Sequence, residues 1–170
     1  MSSECTTRDY RPDDAEALAE IFRDSIAHAA APHYSAEQAT AWASGADEEG
    51  FAAGLADSWT RVACEVGSDA DGDDALGEPL GFAAISMPGH IEYLYVAPEV
   101  MRQGIAGLLM EDMLALGEAM GAAALTADVS QVAHAFFLKQ GFVDVAAETV
   151  ERQGQQLTRF RMQKRMRPAR

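Results

Sequence analysis

Residues 96–107 combine residue types and a spacing that favour phosphate binding. They read Val-Ala-Pro-Glu-Val-Met-Arg-Gln-Gly-Ile-Ala-Gly and follow an aromatic and β-branched run, residues 90–96, that predicts a strand. Gly104 and Gly107 allow the backbone to approach a ligand closely, and the N–H groups at the start of a helix attract phosphate. Apolar residues beyond the loop recur every three or four positions and predict an amphipathic helix: Ile105, Leu108, Leu109, Met113, Leu116 and Met120.

This local pattern does not by itself identify a nucleotide site. No Gly-Lys-Ser/Thr follows the glycines, so the loop is not a Walker loop, and it is not a Gly-x-Gly-x-x-Gly dinucleotide motif. A glycine-tolerant helix start in any α/β protein would explain the segment equally well.

Glu92 is the candidate general base, because it lies in an otherwise apolar strand. A carboxylate is expensive to bury without a partner, so its position there needs a reason. A carboxylate at such a position could accept a proton from a bound substrate through water. Two other roles stay open for Glu92: orienting a substrate, or pairing with an arginine or tyrosine on an open strand face.

Residues 95–107 resemble motif A of the GNAT N-acetyltransferase superfamily, in which a strand ends in Val-x-Pro and Arg/Gln-x-x-Gly-x-Gly/Ala starts a helix. Gly104 and Ala106 match this pattern, whereas Met101 stands where arginine or glutamine is usual. Residues 135–142, Ala-Phe-Phe-Leu-Lys-Gln-Gly-Phe, are similar to the later helix and turn, commonly Phe-Tyr-x-Lys-x-Gly-Phe. Finer matches resemble the YafP-like branch: Tyr34-Ser-x-x-Gln-x-x-x-Trp42, Gly89-His-Ile-Glu92, Ser130-x-x-Ala133 and Val150-Glu-Arg-x-Gly154.

The resemblance implies a GNAT fold, an α/β architecture with a mixed, mostly antiparallel sheet of six to seven strands flanked by helices. It also implies acetyl-CoA as co-substrate, held mainly by backbone groups. Leu94, Tyr95 and Val96 would bind the pantetheine arm, and the backbone near Leu94 or Val96 would polarise the acetyl carbonyl. Amides of the glycine loop would bind the pyrophosphate: Arg102, Gln103, Gly104, Ile105, Ala106 and Gly107.

Phe137 departs from the family pattern, because many relatives carry a tyrosine there whose hydroxyl protonates the departing thiol. A phenyl ring cannot donate a proton, although the position would still border the cofactor. Ser130 and His134 are the candidate replacements, with a helix cap and a solvated helix residue as their alternative explanations. Thiols are acceptable leaving groups, so unaided departure also stays open.

The early helices shape the acceptor pocket in this fold, which makes Tyr34 and Trp42 candidate substrate-binding residues. Trp42 is also a strong candidate for the core. His28 and His33 belong to the same region. Strand alternation predicts that Tyr93 and Tyr95 point away from Glu92 and serve in packing.

Composition narrows the function classes further. The 170 residues, 48% of them hydrophobic, predict one domain over residues 1–170. A net charge of −14 disfavours nucleic acid, which needs a basic face. The acidic field would attract cationic small molecules such as amines, and solubility alone would also explain it. Two cysteines are too few for a disulfide framework, and no signal peptide or membrane span is visible, so we expect a cytoplasmic protein without a membrane partner. No metal is expected, because no cluster has ligand spacing.

The remaining elements follow from periodicity and turn residues. Strands are predicted at residues 6–10, 61–66, 80–87, 90–97, 122–129, 142–152 and 157–164. Helices are predicted to start after Arg11, at Ser35 as N-cap, at Asp47, and over residues 132–139 with Gly141 as the stop. Residues 165–170 are predicted to form a basic tail.

Residues 67–79 are predicted to form an acidic, mobile hairpin loop. Its acids at 69, 71 and 73 resemble a calcium loop, but Asp74 stands where that loop needs glycine and Leu80 where it needs glutamate.

Together these features predict direct transfer of an acetyl group from acetyl-CoA to an amine of a small molecule or peptide, within a ternary complex. A CoA-binding regulatory module without catalysis is the first alternative, favoured by Met101 and Phe137 and disfavoured by Glu92 and Gly104. The second alternative keeps the fold and uses another acyl-CoA or a hydroxyl acceptor. Homodimerisation stays open.

Overall fold

The structure, a computed structural model, describes residues 4–47, 50–67 and 76–167. Within these ranges the chain forms five α-helices and seven strands. The helices are α1 Ala15–Ala29, α2 Ala36–Ala43, α3 Gly50–Asp57, α4 Ile105–Ala119 and α5 His134–Lys139. The strands are β1 Cys5–Asp9, β2 Trp59–Val66, β3 Leu76–Ser86, β4 His90–Val96, β5 Ala124–Ser130, β6 Val143–Arg152 and β7 Gln155–Arg165.

All seven strands form one sheet in the order β1-β2-β3-β4-β5-β7-β6. Neighbouring strands are antiparallel except β4 and β5, which run parallel because α4 crosses over between them. The predicted mixed, mostly antiparallel sheet flanked by helices is therefore confirmed, at the upper limit of the expected strand number.

The parallel pair separates soon after it forms. Only His90 pairs with Thr126 and Ile91 with Ala127. Each strand stays attached to its outer neighbour, β4 to β3 as far as Val96 and β5 to β7 along its whole length. The gap between β4 and β5 is therefore a wedge with two supported sides, not a frayed edge. Beyond Ile91, no described strand pairs with β4 on the side that faces β5.

A β-bulge sits at the point where the two strands begin to part. Ala84 of β3 lies opposite Tyr93 and Ile85 lies opposite Ile91, which leaves Glu92 as the extra residue. A bulge interrupts the alternation of side chains along a strand. Ile91 consequently packs with the core beneath α4, whereas Tyr93 and Tyr95 pack with the core beneath α1. The prediction that both tyrosines point away from Glu92 is wrong, because all three side chains line the same cavity.

The sheet separates two hydrophobic cores. One core packs α4 and α5 against the sheet and is centred on Leu109, Met110, Met113, Leu125 and Met162. The other packs α1 and α3 against the opposite face, around Leu18, Phe22, Ile26, Leu55 and Phe82. This arrangement fixes α1 and α4 on opposite sides of the end of β4. Within the described ranges, no helix is long and apolar enough to cross a membrane.

Local sequence signals correctly predicted the start of α2 and the end of α5. Ser35 is the N-cap of α2, and its hydroxyl and backbone form a reciprocal capping box with Gln38. Gly141 follows α5 with a φ of +90°, the left-handed conformation expected of a helix stop. Asp47, predicted to start the third helix, lies instead in a 3₁₀ turn before α3, where its carboxylate pairs with Arg23.

The two segments predicted to be irregular are only partly described. Residues 76–79 of the acidic loop belong to β3, which extends further toward the loop than expected, and residues 68–75 lie outside the described ranges. Arg165 of the basic tail is the last residue of β7, and residues 168–170 also lie outside the described ranges.

The start of α1 is held by a buried ion pair. Two guanidinium nitrogens of Arg8 donate to the two carboxylate oxygens of Asp14 at 2.8 and 2.7 Å, and the Arg11 backbone N–H donates at 2.8 Å. Burial alone would raise the pKa of Asp14, but these hydrogen bonds from Arg8 and Arg11 outweigh it and lower the pKa. Asp14 is thus held ionised at the junction of β1 and α1.

We expect Asp14→Asn to reduce the free energy of unfolding by about 3 kcal/mol at neutral pH, because Arg8 is left buried without its counter-charge. Since the folded-state pKa of Asp14 lies below its unfolded value, this stabilisation is complete at neutral pH and is lost as the pH falls through the folded pKa. Denaturant unfolding at several pH values measures the difference. Asp13→Asn, a neighbouring exposed carboxylate, is the matched control, and equal effects of the two substitutions would contradict this account.

Candidate active site

A cavity of about 530 Å³ lies between α1, the end of β4 and the start of α4. Two of the predicted cofactor-binding residues, Gln103 and Phe137, do not line it, whereas Phe136 does. Every other predicted cofactor-binding residue lines this cavity: Leu94, Tyr95, Val96, Arg102, Gly104, Ile105, Ala106 and Gly107.

The glycine loop leaves open space where a phosphate could approach. Gly104 is the N-cap of α4 with a φ of +85°, and a Cβ placed on it or on Gly107 would meet no atom within 4 Å. Arg102 also has a positive φ, of 65°, which turns the chain into the helix. Since the first N–H groups of a helix lack intrahelical acceptors, the start of α4 presents donors to this space.

A second, smaller cavity of about 50 Å³ occupies the wedge between β4 and β5. Phe137 lines its base and is only 4% exposed, with its ring 5.0 Å from that of Phe142. Phe137 is therefore a core residue that borders the wedge. Ser130 and Tyr95 line this wedge and also both larger cavities, which places them where all three meet.

A third cavity, of about 300 Å³, opens on the α1 side of β4 and is the candidate acceptor pocket. Six aromatic rings line it: Phe22, Tyr34, Trp42, Phe51, Tyr93 and Tyr95. Trp42 contacts Tyr34 and Tyr95, with ring centroids 5.6 and 6.4 Å apart, and lines the 530 Å³ cavity as well. Trp42 thus forms part of the wall shared by the two large cavities.

Tyr34 is fixed in this wall by two hydrogen bonds. Its hydroxyl donates to the Thr158 carbonyl and accepts from the Gln131 backbone N–H, both at 3.0 Å. Burial raises the pKa of Tyr34, an effect partly offset by the bond from Gln131. Burial likewise raises the pKa of Tyr95, against a hydrogen bond from Trp42 that lowers it. Both phenols remain protonated at neutral pH.

Glu92 projects into the acceptor pocket from the bulge and is exposed to solvent. The Ser86 hydroxyl donates to its Oε1 at 2.7 Å. The side chain therefore lies on an open strand face, as one of the alternatives for this residue expected, but it does so at the mouth of the wedge. One of its carboxylate oxygens is thus held by Ser86 at the edge of the pocket.

The two candidates for the proton donor lie in different places. Ser130 Oγ accepts a long hydrogen bond of 3.3 Å from the Ala133 N–H, a helix-capping contact, while still lining the wedge. His134 contacts Asp144 at 2.7 Å and stacks on Phe160, and it lines none of the three cavities. The exposed His28 and His33 also lie outside them. Ser130 is the better placed group.

Four polar residues of the acceptor pocket were missed by the sequence analysis: His90, Asp128, Arg152 and Arg159. Asp128 lies on β5, two residues beyond the Thr126 that pairs with His90, so the parallel register places both on the pocket side. Arg159 and Arg152 come from the β7 and β6 hairpin, and only the strand order brings them here. Within the described ranges, no group of three or more His, Cys, Asp or Glu could hold a metal ion.

Comparison with known proteins agrees with this geometry. A sequence model of the acetyltransferase (GNAT) domain matches residues 30–164. The chain is 32% identical over 155 residues to the uncharacterised N-acetyltransferase YafP of Escherichia coli K12, covering 91% of this chain and 92% of that one.

Solved structures share the fold. A GCN5-related N-acetyltransferase from Rhodopseudomonas palustris superposes with a TM-score of 0.85 at 36% identity, covering 98% of this chain and 99% of the other. The PaiA N-acetyltransferase of Thermoplasma acidophilum, solved in complex with coenzyme A, superposes with a TM-score of 0.70 at 20% identity over 96% and 99% of the two chains. The family model matches residues 30–164, and the Escherichia coli relative covers 91% of the chain at 32% identity, so the chain belongs to the GNAT family of acetyltransferases.

Proposed function

We propose that this acetyltransferase moves an acetyl group from acetyl-CoA to the amine of a small molecule or peptide, by direct attack within a ternary complex. The observation that carries the proposal is the meeting of three cavities at Tyr95 and Ser130. One cavity suits a cofactor arm, one suits an acceptor, and the wedge between β4 and β5 joins them. Two substrates bound in this way would have their reacting ends together without a covalent enzyme intermediate.

The residues that line the 530 Å³ cavity fit acetyl-CoA. The open space over Gly104 and Gly107 would take a pyrophosphate, against the N–H groups at the start of α4. The unpaired edge of β4 would bind the amide groups of the pantetheine arm as a strand binds an extended peptide. When bound there, acetyl-CoA supplies the activated acetyl thioester.

Glu92 is the proposed general base. It stands in the acceptor pocket at the start of the wedge, and the bond from Ser86 holds one of its oxygens. Glu92 takes the first proton from the bound ammonium, directly or through one water, and later releases it to solvent. The neutral nitrogen can then form the C–N bond at the acyl carbon.

Backbone and hydroxyl groups complete the proposed reaction. Backbone N–H groups at the end of β4 stabilise the negative charge on the carbonyl oxygen during attack. As the C–S bond breaks, the nitrogen loses its second proton and the sulfur gains one. Ser130 is the proposed carrier of that proton, because Phe137 has no hydroxyl and Ser130 borders the wedge.

A small acyl group fits this arrangement best. The wedge of about 50 Å³ holds a group of a few heavy atoms, and buried side chains such as Val129 and Phe137 close it. This favours acetyl over a long acyl chain. The acceptor pocket also contains the carboxylate of Glu92, which disfavours a regulatory module without catalysis.

The glycine loop should be essential for the cofactor. We expect Gly104→Glu to remove detectable acetyl-CoA binding while the protein stays folded, because a carboxylate would occupy the space proposed for the pyrophosphate. Gly121→Glu is the matched control, since Gly121 also has a positive φ with nothing within 4 Å and lies at the far end of α4. Titration calorimetry measures both. Equal affinities in the two folded variants would refute the cofactor site.

We expect Glu92→Gln to lower kcat/KM for an acetylated amine by roughly 10² or more, the usual contribution of a positioned base. Acetyl-CoA affinity should stay unchanged, because Glu92 lies outside the 530 Å³ cavity. Glu111→Gln, on the exposed face of α4, is the control. A Glu92→Gln enzyme that keeps most of its activity and the pH profile of the wild type would show that Glu92 is structural.

Ser130→Ala should lower kcat about tenfold, because it removes the proposed proton carrier. In a Phe137→Tyr background the same substitution should cost much less, since the phenol would serve the same proton and the two effects would not add. Melting temperatures separate this from loss of the contact between Ser130 and Ala133. Fully active Ser130→Ala, beside a Phe137→Tyr variant that is destabilised without a gain in kcat, would end the proton-carrier proposal.

A further inference from the structure

Asp128 is a carboxylate of the acceptor pocket that lacks a close donor. The basic side chains nearest to it are His90 and Arg159, whose Nε2 and Nη2 each lie 3.7 Å from its Oδ2, within ion-pair distance but too far for a hydrogen bond. No other partner is found among the described residues. The His90 ring is held by Thr126, at 2.8 Å from Nδ1. Asp128 therefore presents negative charge to the pocket, across the wedge from Glu92.

Arg152 is a positively charged residue that lines the same pocket. Its guanidinium makes one hydrogen bond, of 3.3 Å, to the carbonyl of its neighbour Glu151, and no carboxylate of the described residues pairs with it. The other arginine of the pocket, Arg159, is already engaged with Asp128 and with Glu148 at 3.4 Å. Arg152 thus offers an uncommitted cation where β6 reaches the pocket.

We propose that the acceptor is an amine that also carries a carboxylate, with its ammonium group bound at Asp128 and its carboxylate at Arg152. The proposal rests on the proposed function, because it names the class of amine that the same pocket takes. An arginine fork matches a carboxylate with two parallel hydrogen bonds, and the aromatic rings that line the same pocket suit an apolar linker.

The overall charge of the chain makes the position of Arg152 significant. At a net charge of −14 the protein repels anions in general, so a carboxylate-bearing ligand needs a specific cation in its site. A simple amine would need only Asp128 and Glu92. Arg152 therefore determines specificity and does not take part in the chemistry.

The test measures binding, with matched pairs of probes. β-Alanine, 4-aminobutanoate and 6-aminohexanoate, each beside its terminal amide, are titrated into the protein with and without saturating CoA. For at least one of the three chain lengths, the acid should bind at least about tenfold more tightly than its amide, a difference of about 1.4 kcal/mol in binding free energy. Acids and amides of equal affinity throughout, or no binding by any probe, would overturn the proposal. Aminoalkyl phosphates are titrated in the same way, and a phosphate that binds more tightly than every acid would also overturn the proposal.

Three variants assign the effect to residues. Arg152→Gln should abolish the preference for the acid while amide binding is unchanged, and Asp128→Asn should weaken both members of the pair. Arg165→Gln, an exposed arginine of β7 outside the pocket, should keep the preference. A preference that survives Arg152→Gln, or that Arg165→Gln also removes, contradicts the assignment.

Turnover separates this inference from the proposed function. If the acids bind as expected and no acetylated product forms with acetyl-CoA, the proposed function fails and the specificity stands. If amides and acids are bound and acetylated equally well, the function stands and the specificity fails.

Discussion

The parting of β4 from β5 is the constraint on which the rest of the site depends. Two parallel pairs hold the strands together at His90 and Ile91, and beyond them each strand is supported only by its outer neighbour. Backbone donors and acceptors are strong hydrogen-bonding groups that seek partners, so an edge held rigidly in this way is suited to an extended ligand. The glycine loop and α4 follow directly from the end of β4, which brings the free N–H groups of a helix start to the same opening.

The bulge at Glu92 couples this opening to the acceptor pocket. One extra residue turns Glu92, Tyr93 and Tyr95 toward the same cavity, which a regular strand could not do. The aromatic residues of α1, α2 and α3 then complete a pocket whose floor carries the charges of β5, β6 and β7. A carboxylate that borders both pocket and wedge is well placed to receive a proton from an amine.

The sequence predicted what depends on neighbours along the chain. The glycine loop, the capping box of Ser35 and the left-handed Gly141 are local signals, and the structure contains all three. The predicted helix start at Asp47 was not found, because the Asp47 carboxylate pairs with Arg23, a residue 24 positions away. The family resemblance supplied the fold and the cofactor loop, which periodicity alone could not identify.

What the sequence could not predict depends on register and strand order. The bulge at Glu92 is a property of the pairing with β3, so alternation misassigned Tyr93 and Tyr95. Asp128 and Arg152 line one pocket only because β7 lies between β5 and β6 in the sheet. Phe136, not its neighbour Phe137, lines the 530 Å³ cavity, since the packing of α5 decides which ring faces it.

A crystal structure of the protein with CoA and an unreactive acceptor analogue would test the central claim most directly. We expect the pantetheine arm in the 530 Å³ cavity along the edge of β4, with hydrogen bonds to the backbone of residues 94–96. The pyrophosphate should lie over Gly104, and the sulfur should lie beside Ser130 at the entrance to the wedge, facing the pocket that contains Glu92. A coenzyme bound with its pyrophosphate away from the start of α4, or a wedge closed by continued pairing of β4 with β5, would contradict the account.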